Sequence, residues 1–173
     1  MEPLIIGRYD RPRIMLDLQT AEKNDIENEQ FGAISKYELS QISSFEQQYP
    51  QAKFKGDPTA VYNCHGMTFA SKRTGIFADS EIEKILKDDK YIEIKNEREV
   101  MPGDIILYYD ETGISHSGTV IQTHPGDHAN DLPSIMVISK WAKHKEVIHN
   151  ANYSPYSQGT KRYWRVNHGF KII

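Results

Sequence analysis

Downstream of Met101-Pro102-Gly103-Asp104 the chain carries five short segments of strand vocabulary in succession, at 105–109, 115–122, 135–141, 146–149 and 162–166. Each is rich in β-branched and aromatic residues, and Gly, Pro, Asn and Asp separate them. Between the second and third lies 123–134, which holds His124, Pro125, Gly126, Asp127, Asn130 and Pro133 and reads as a loop. The helical patterns all come earlier. Helices first and adjacent strands afterwards imply an α+β fold, with N-terminal helices packed on an antiparallel sheet.

Those helical patterns are three. Over 35–48, Leu39, Ile42, Phe45 and Tyr49 recur at three- to four-residue spacing and share a face. Tyr49-Pro50 ends that helix, because the residue before proline is pushed out of the helical region. Asn63 is a natural cap for a second helix starting at or just after Cys64. Ser80-Glu81-Ile82-Glu83 has the form of a capping box for a third, with Ile85 and Leu86 on the same face as Ile82. Ahead of these come a short apolar start, Leu4, Ile5 and Ile6, and an acidic stretch over 22–29 that reads as solvated surface or a loose segment. Neither a repeat nor a long linker divides the chain. We read 1–55 as an extension with one helix, belonging to the same domain as a core over 56–173.

Composition excludes several function classes. Of 173 residues, 21 are basic and 24 acidic, a balance of −3 that lacks the basic surface needed to neutralise nucleic-acid phosphates. No apolar run approaches the ~20 residues of a membrane helix, and the first residues lack the pattern of a Sec signal peptide. The expectation is a protein that binds neither nucleic acid nor membrane, cytoplasmic as synthesised or exported without a Sec signal. The chain has one cysteine, Cys64. That count rules out an internal disulfide framework and a multi-thiolate zinc site, and leaves the thiol as a small buried hydrophobe or a nucleophile. None of the seven histidines forms a His-Glu-x-x-His motif. Neither a metal nor a cofactor is expected.

A nucleophilic cysteine reacts as thiolate, favoured at a helix start and beside an imidazolium. The position of Cys64 meets the first condition, and backbone N–H groups there face any oxyanion formed on attack. Among the histidines, His116 is the best base: it lies in Ser115-His116-Ser117-Gly118, where small neighbours leave room for a substrate. His65 adjoins the cysteine, but helix neighbours point ~100° apart, which makes it a poor partner. His124, His128 and His168 read as solvated; His144 and His149 flank the last hairpin as accessory candidates. If 115–122 and 135–141 pair around the loop, position 116 comes opposite 139–141. Ser139 is then the group that orients the base, shielded from water by Trp141, whereas Lys140 would repel an imidazolium. Tyr153, Pro155, Tyr156, Tyr163 and Trp164 either wall a groove or pack the core, packing being the commoner role.

Cys64 opening a helix, Pro102-Gly103-Asp104-Ile105-Ile106 entering a strand, and Ser115-His116-Ser117-Gly118-Thr119-Val120-Ile121 together resemble the core of the NlpC-type and CHAP-type cysteine peptidases and amidases of the papain-like superfamily. The resemblance spans 59–166. Asn63-Cys64-His65-Gly66 stands where that family usually has Asp-Cys-Ser-Gly, and the family's third residue, a His, Asn, Gln or Glu, finds only Ser139 or its neighbours. The resemblance implies a papain-like fold and a thiol hydrolase that cleaves amide bonds, foremost in peptidoglycan peptides, as a lysin or toxin. Cys64, His116 and Ser139 would be catalytic, and Tyr62, Asn63 and Trp141 would contact substrate, Tyr62 standing where related enzymes place a tyrosine near the oxyanion hole. The implied partners are a peptide or peptidoglycan fragment and an inhibitor or immunity protein. The alternatives are a papain-like acyltransferase or deamidase acting on a protein or small molecule, and a non-catalytic binding module of the same fold.

Overall fold

In a computed structural model the residues described are 14–128 and 130–167. The apolar start at Leu4–Ile6 and the histidine at 168 lie outside them. The elements run α1 (Lys36–Gln48), β1 (Lys53–Lys55), α2 (Cys64–Phe69), α3 (Asp79–Asp88), β2 (Tyr91–Ile94), a 3-10 turn (Glu97–Glu99), β3 (Ile105–Asp110), β4 (Gly113–His124), β5 (Ser134–Lys140), β6 (Glu146–Asn150) and β7 (Thr160–Val166). Seven strands form one antiparallel sheet in the order β1-β6-β5-β4-β3-β7-β2. The architecture is α+β.

β3 explains where the core sits. Its Ile105-Ile106-Leu107-Tyr108 run is buried at every position, so both faces of the sheet are covered at its centre. Ile105 and Leu107 pack with Ile82, Ile85 and Leu86 of α3, with Ile76 and with Ile26. Ile106 and Tyr108 face the other way, onto Val120, Val137, Ile135 and Tyr163. The Pro102-Gly103-Asp104 turn that delivers β3 is fixed by charge: Asp104 is buried and receives both Arg165 Nε at 2.7 Å and Nη2 at 2.8 Å, while also capping the Met101 amide at 2.8 Å.

Several sequence expectations change at this level. α3 begins at Asp79, with Ala78 rather than Ser80 before it; alanine offers no side-chain cap, and the Asp79 carboxylate accepts from the Ile114 amide of β4 at 2.9 Å. On α1 the buried face is narrower than the periodicity suggests. Leu39 is 45% exposed, while Phe45 and Tyr49 pack edge-on against Trp141. The 22–29 stretch is docked, not loose: Ile26 enters the core, and buried Asn28 bonds the Leu16 backbone through both its oxygen and its nitrogen, and also Thr74 Oγ1 and the Ile26 carbonyl. Strands β1 and β2 are additional to the five expected.

Candidate active site

The cysteine is placed by three local choices. Asn63 holds an extended conformation and accepts the Gly66 amide at 2.8 Å, which starts α2 at Cys64. The same carboxamide oxygen accepts the Ile76 amide at 3.1 Å, and its nitrogen donates to the Ile76 carbonyl, so the cap also clamps the helix start to the segment before α3. Gly66 then lets the helix backbone touch that segment: a Cβ there would lie 1.7 Å from the Thr74 carbonyl oxygen. α2 packs chiefly on β4 and also on β5. Asn63 is therefore spent as a cap, with its polar atoms on Gly66 and Ile76.

Cys64 is 8% exposed. Burial by itself would push the thiol up, but the imidazoles of His65 and His116 outweigh it and hold the thiol well below its ordinary value. His116 is fully buried in β4, and neither ring nitrogen makes a hydrogen bond of full geometry. The ring lies near the thiol without being locked to it. What fixes its plane is Tyr156, stacked at 3.8 Å between centroids and 6° between planes, with Tyr108 on another side at 5.5 Å.

His65 departs from the expectation that neighbours on a helix cannot cooperate. Its ring is buried, and the proximity of the Cys64 sulfur and of Asp79 raises its pKa against the opposing effect of burial. The ~100° rule separates Cβ directions. An imidazole extends far enough beyond its Cβ to come back alongside the thiol. His65 Nδ1 contacts Ser117 Oγ at 2.9 Å, and Ser117 Oγ contacts Thr68 Oγ1 at 3.0 Å.

Ser139 sits opposite Gly118, two residues along from His116, and its hydroxyl lies 2.8 Å from His149 Nε2. His149 Nδ1 lies 2.8 Å from the Asn150 carbonyl, which can only accept, so that nitrogen carries the proton and Nε2 accepts from Ser139. Ser139 thus orients His149 and makes no bond to His116. The space expected beside Gly118 is filled, because a Cβ there would meet Val137 at 2.5 Å. Trp141 is fully buried among Phe45, Tyr49, Phe54 and His149, which makes it core packing with no surface for a substrate. Tyr62 donates to Glu146 at 2.7 Å, and burial together with that carboxylate pushes its phenol up, so its hydroxyl is already spent.

A buried cation completes the surroundings. Lys140 is fully buried, donates to the His144 carbonyl and stands 5.1 Å from the centre of the Tyr62 ring. Burial lowers it to about 8, against the pull of Glu146 and Cys64. Lys72 pairs with Glu146 at 2.7 Å. Sequence reading found Cys64, His116 and the cap. It missed His65, Lys140 and the Ser139–His149 pair, whose roles depend on which strands pair; Tyr156 stood in the aromatic cluster already noted. His124 and His128 are exposed, as expected. Among the described residues no group of three His, Cys, Asp or Glu is placed to hold a metal ion, and no helix is long and apolar enough to cross a membrane. Compared with known protein families, curated proteins and solved structures, the chain matches none.

Proposed function

We propose that the chain is a cysteine-dependent hydrolase of amide bonds that works through a thioester, with Cys64 as nucleophile and His116 as base, in a papain-like, NlpC-type or CHAP-type arrangement. The observation that carries this reading is the place of the one thiol, at a helix start beside two buried imidazoles that hold it well below its ordinary value although burial opposes it. An inert buried cysteine has its thiol pushed up. Here it is pushed down.

The steps follow from the groups in place. The thiol proton passes to an imidazole, the sulfur attacks the carbonyl carbon, and backbone N–H groups at the head of α2 would hold the resulting oxyanion. The His116 imidazolium gives its proton to the departing amine, leaving the acyl group on sulfur. Water then attacks the thioester with His116 taking its proton, which returns to the thiolate as the acid leaves. Peptidoglycan stem peptides are the substrate class we propose first, on the motif resemblance.

The test combines labelling with product analysis. Iodoacetamide should alkylate Cys64 rapidly below neutral pH, and purified protein should cleave muropeptides or members of a peptide library into products identified by mass spectrometry. Cys64→Ala should abolish cleavage while keeping the fold by circular dichroism. Sluggish alkylation with an alkaline midpoint overturns the reading. Acyl transfer or glutamine deamidation among the products assigns the same site to a transferase or deamidase. A partner whose binding survives Cys64→Ala, with no covalent product, assigns a binding module.

A further inference from the structure

The contacts beneath α2 fix the direction of every hydrogen in a short chain. Thr68 Oγ1 lies 2.9 Å from the Cys64 carbonyl oxygen, which can only accept, so the threonine hydroxyl donates there. Its proton is then used, and in the 3.0 Å contact with Ser117 Oγ it is the serine that donates. The serine proton is used in turn. In the 2.9 Å contact with His65 Nδ1 the ring must therefore donate. Ser117, the middle member, has no exposed surface, so water does not take its place in the chain. A neutral His65 consequently carries its hydrogen on Nδ1 and presents a bare Nε2, the nitrogen left to serve the neighbouring thiol. His116 has no such arrangement, since neither of its nitrogens makes a hydrogen bond of full geometry.

We infer that two imidazoles ionise Cys64, and that the hydroxyl relay through Ser117 and Thr68 makes His65 the ring on which the thiol proton rests. The inference rests on the thiolate-nucleophile reading and adds a residue to it. The Sγ–H bond breaks, an Nε2–H bond forms, and the sulfur keeps the electron pair; nothing is oxidised or reduced. One proton then has three sites: Sγ, His65 Nε2 and a nitrogen of His116. It rests on His65, and it passes through sulfur to His116 before the sulfur attacks, so that His116 holds it for the departing amine. Ser117 and Thr68 are positioning residues. This is also the point where Cys64-His65-Gly66 differs from the Cys-Ser-Gly of the family it resembles: the residue after the nucleophile is itself a base.

The charged groups bearing on this unit are few. Asp79, at the head of α3, favours the protonated His65, and Lys140 from β5 favours the thiolate. The experiment reads the thiolate directly, without substrate, as the rate of iodoacetamide alkylation across pH in the full chain. His65→Gln should move the alkylation midpoint up by about one pH unit or more, slowing alkylation near pH 6 about tenfold. Ser117→Ala should move it the same way by less. His116→Gln should move the midpoint up by less than His65→Gln does, while abolishing hydrolysis. A wild-type midpoint in His65→Gln, or a shift produced by His116→Gln alone, overturns the inference. Should His65→Gln not fold, the unmodified sequence gives a second readout in the ring nitrogen chemical shifts. Both His65 nitrogens should be protonated beside the thiolate, and after alkylation of Cys64 only Nδ1 should remain so. An alkylated protein protonated on Nε2 overturns the relay. Because no substrate enters, a depressed midpoint in a protein that cleaves nothing sinks the amide-hydrolase reading and leaves this one standing.

Discussion

Ser139 shows how a hydroxyl in the right neighbourhood can belong to a different histidine. Its proton is spent on His149 Nε2, because His149 Nδ1 is already spent on the Asn150 carbonyl. Ser139→Ala therefore leaves a buried ring nitrogen without a partner, which costs about 1–3 kcal/mol of stability. We expect a lower urea midpoint, with alkylation of Cys64 and turnover unchanged. Lost turnover at unchanged stability would instead show that Ser139 orients His116 during the reaction. Tyr156 is the better account of how His116 keeps its orientation: a parallel stack at 3.8 Å holds the ring plane without occupying either nitrogen.

At the scale of elements, α2 is only six residues long and owes its position to contacts beyond its own hydrogen bonds. Its glycine touches the Thr74 carbonyl, so Gly66→Ala forces the helix off its bed. Overpacking of this kind costs about 1–3 kcal/mol or more, and the same displacement carries Cys64 away from His116 and His65 away from Ser117. The expected result is a lower melting temperature together with an alkylation midpoint returning toward that of a free thiol, measured on the one variant. Strands β3 to β7 were legible because each holds enough β-branched and aromatic residues between turn signals to outweigh local ambiguity. β1 and β2 were not: Lys53-Phe54-Lys55 and Tyr91-Ile92-Glu93-Ile94 are too short for periodicity, and pairing with β6 and β7 makes them strands. Ser80-x-x-Glu83 misled for a related reason. The capping pattern is local and falls inside the helix, which already begins at Asp79, whose carboxylate reaches across to β4. Cys64 and His116 could be picked out from their own neighbours in sequence. The Ser117–Thr68 relay and the burial of Lys140 depend on α2 lying over β4 and β5, which no local pattern encodes.

For the whole molecule, buried histidine sets an acid limit. His149 is fully buried and lowered to about 4, chiefly by that burial, with the charge of His116 acting in the same direction. From an ordinary value near 6.5 the folded state binds fewer protons than the unfolded one between these limits. Its stabilising contribution is thus complete above about pH 6.5 and declines as pH falls toward 4. By that linkage about 2 kcal/mol present at pH 7 is gone by pH 5. Urea unfolding at the two pH values should show the loss in the wild type and a flatter profile in His149→Gln; parallel profiles would place the acid sensitivity elsewhere.

The sheet order carries one more consequence. β7 lies between β3 and β2, so among the described residues β2 joins the sheet solely through a strand that comes some seventy residues later in the chain. On a ribosome, the segment 91–94 emerges with its neighbour still unmade, and the stretch bearing Tyr156 arrives only just ahead of that neighbour. Closure of the sheet and the stacking of His116 thus wait for residues 156–166, and the nascent chain cannot present the assembled Cys64–His116 pair before they are made.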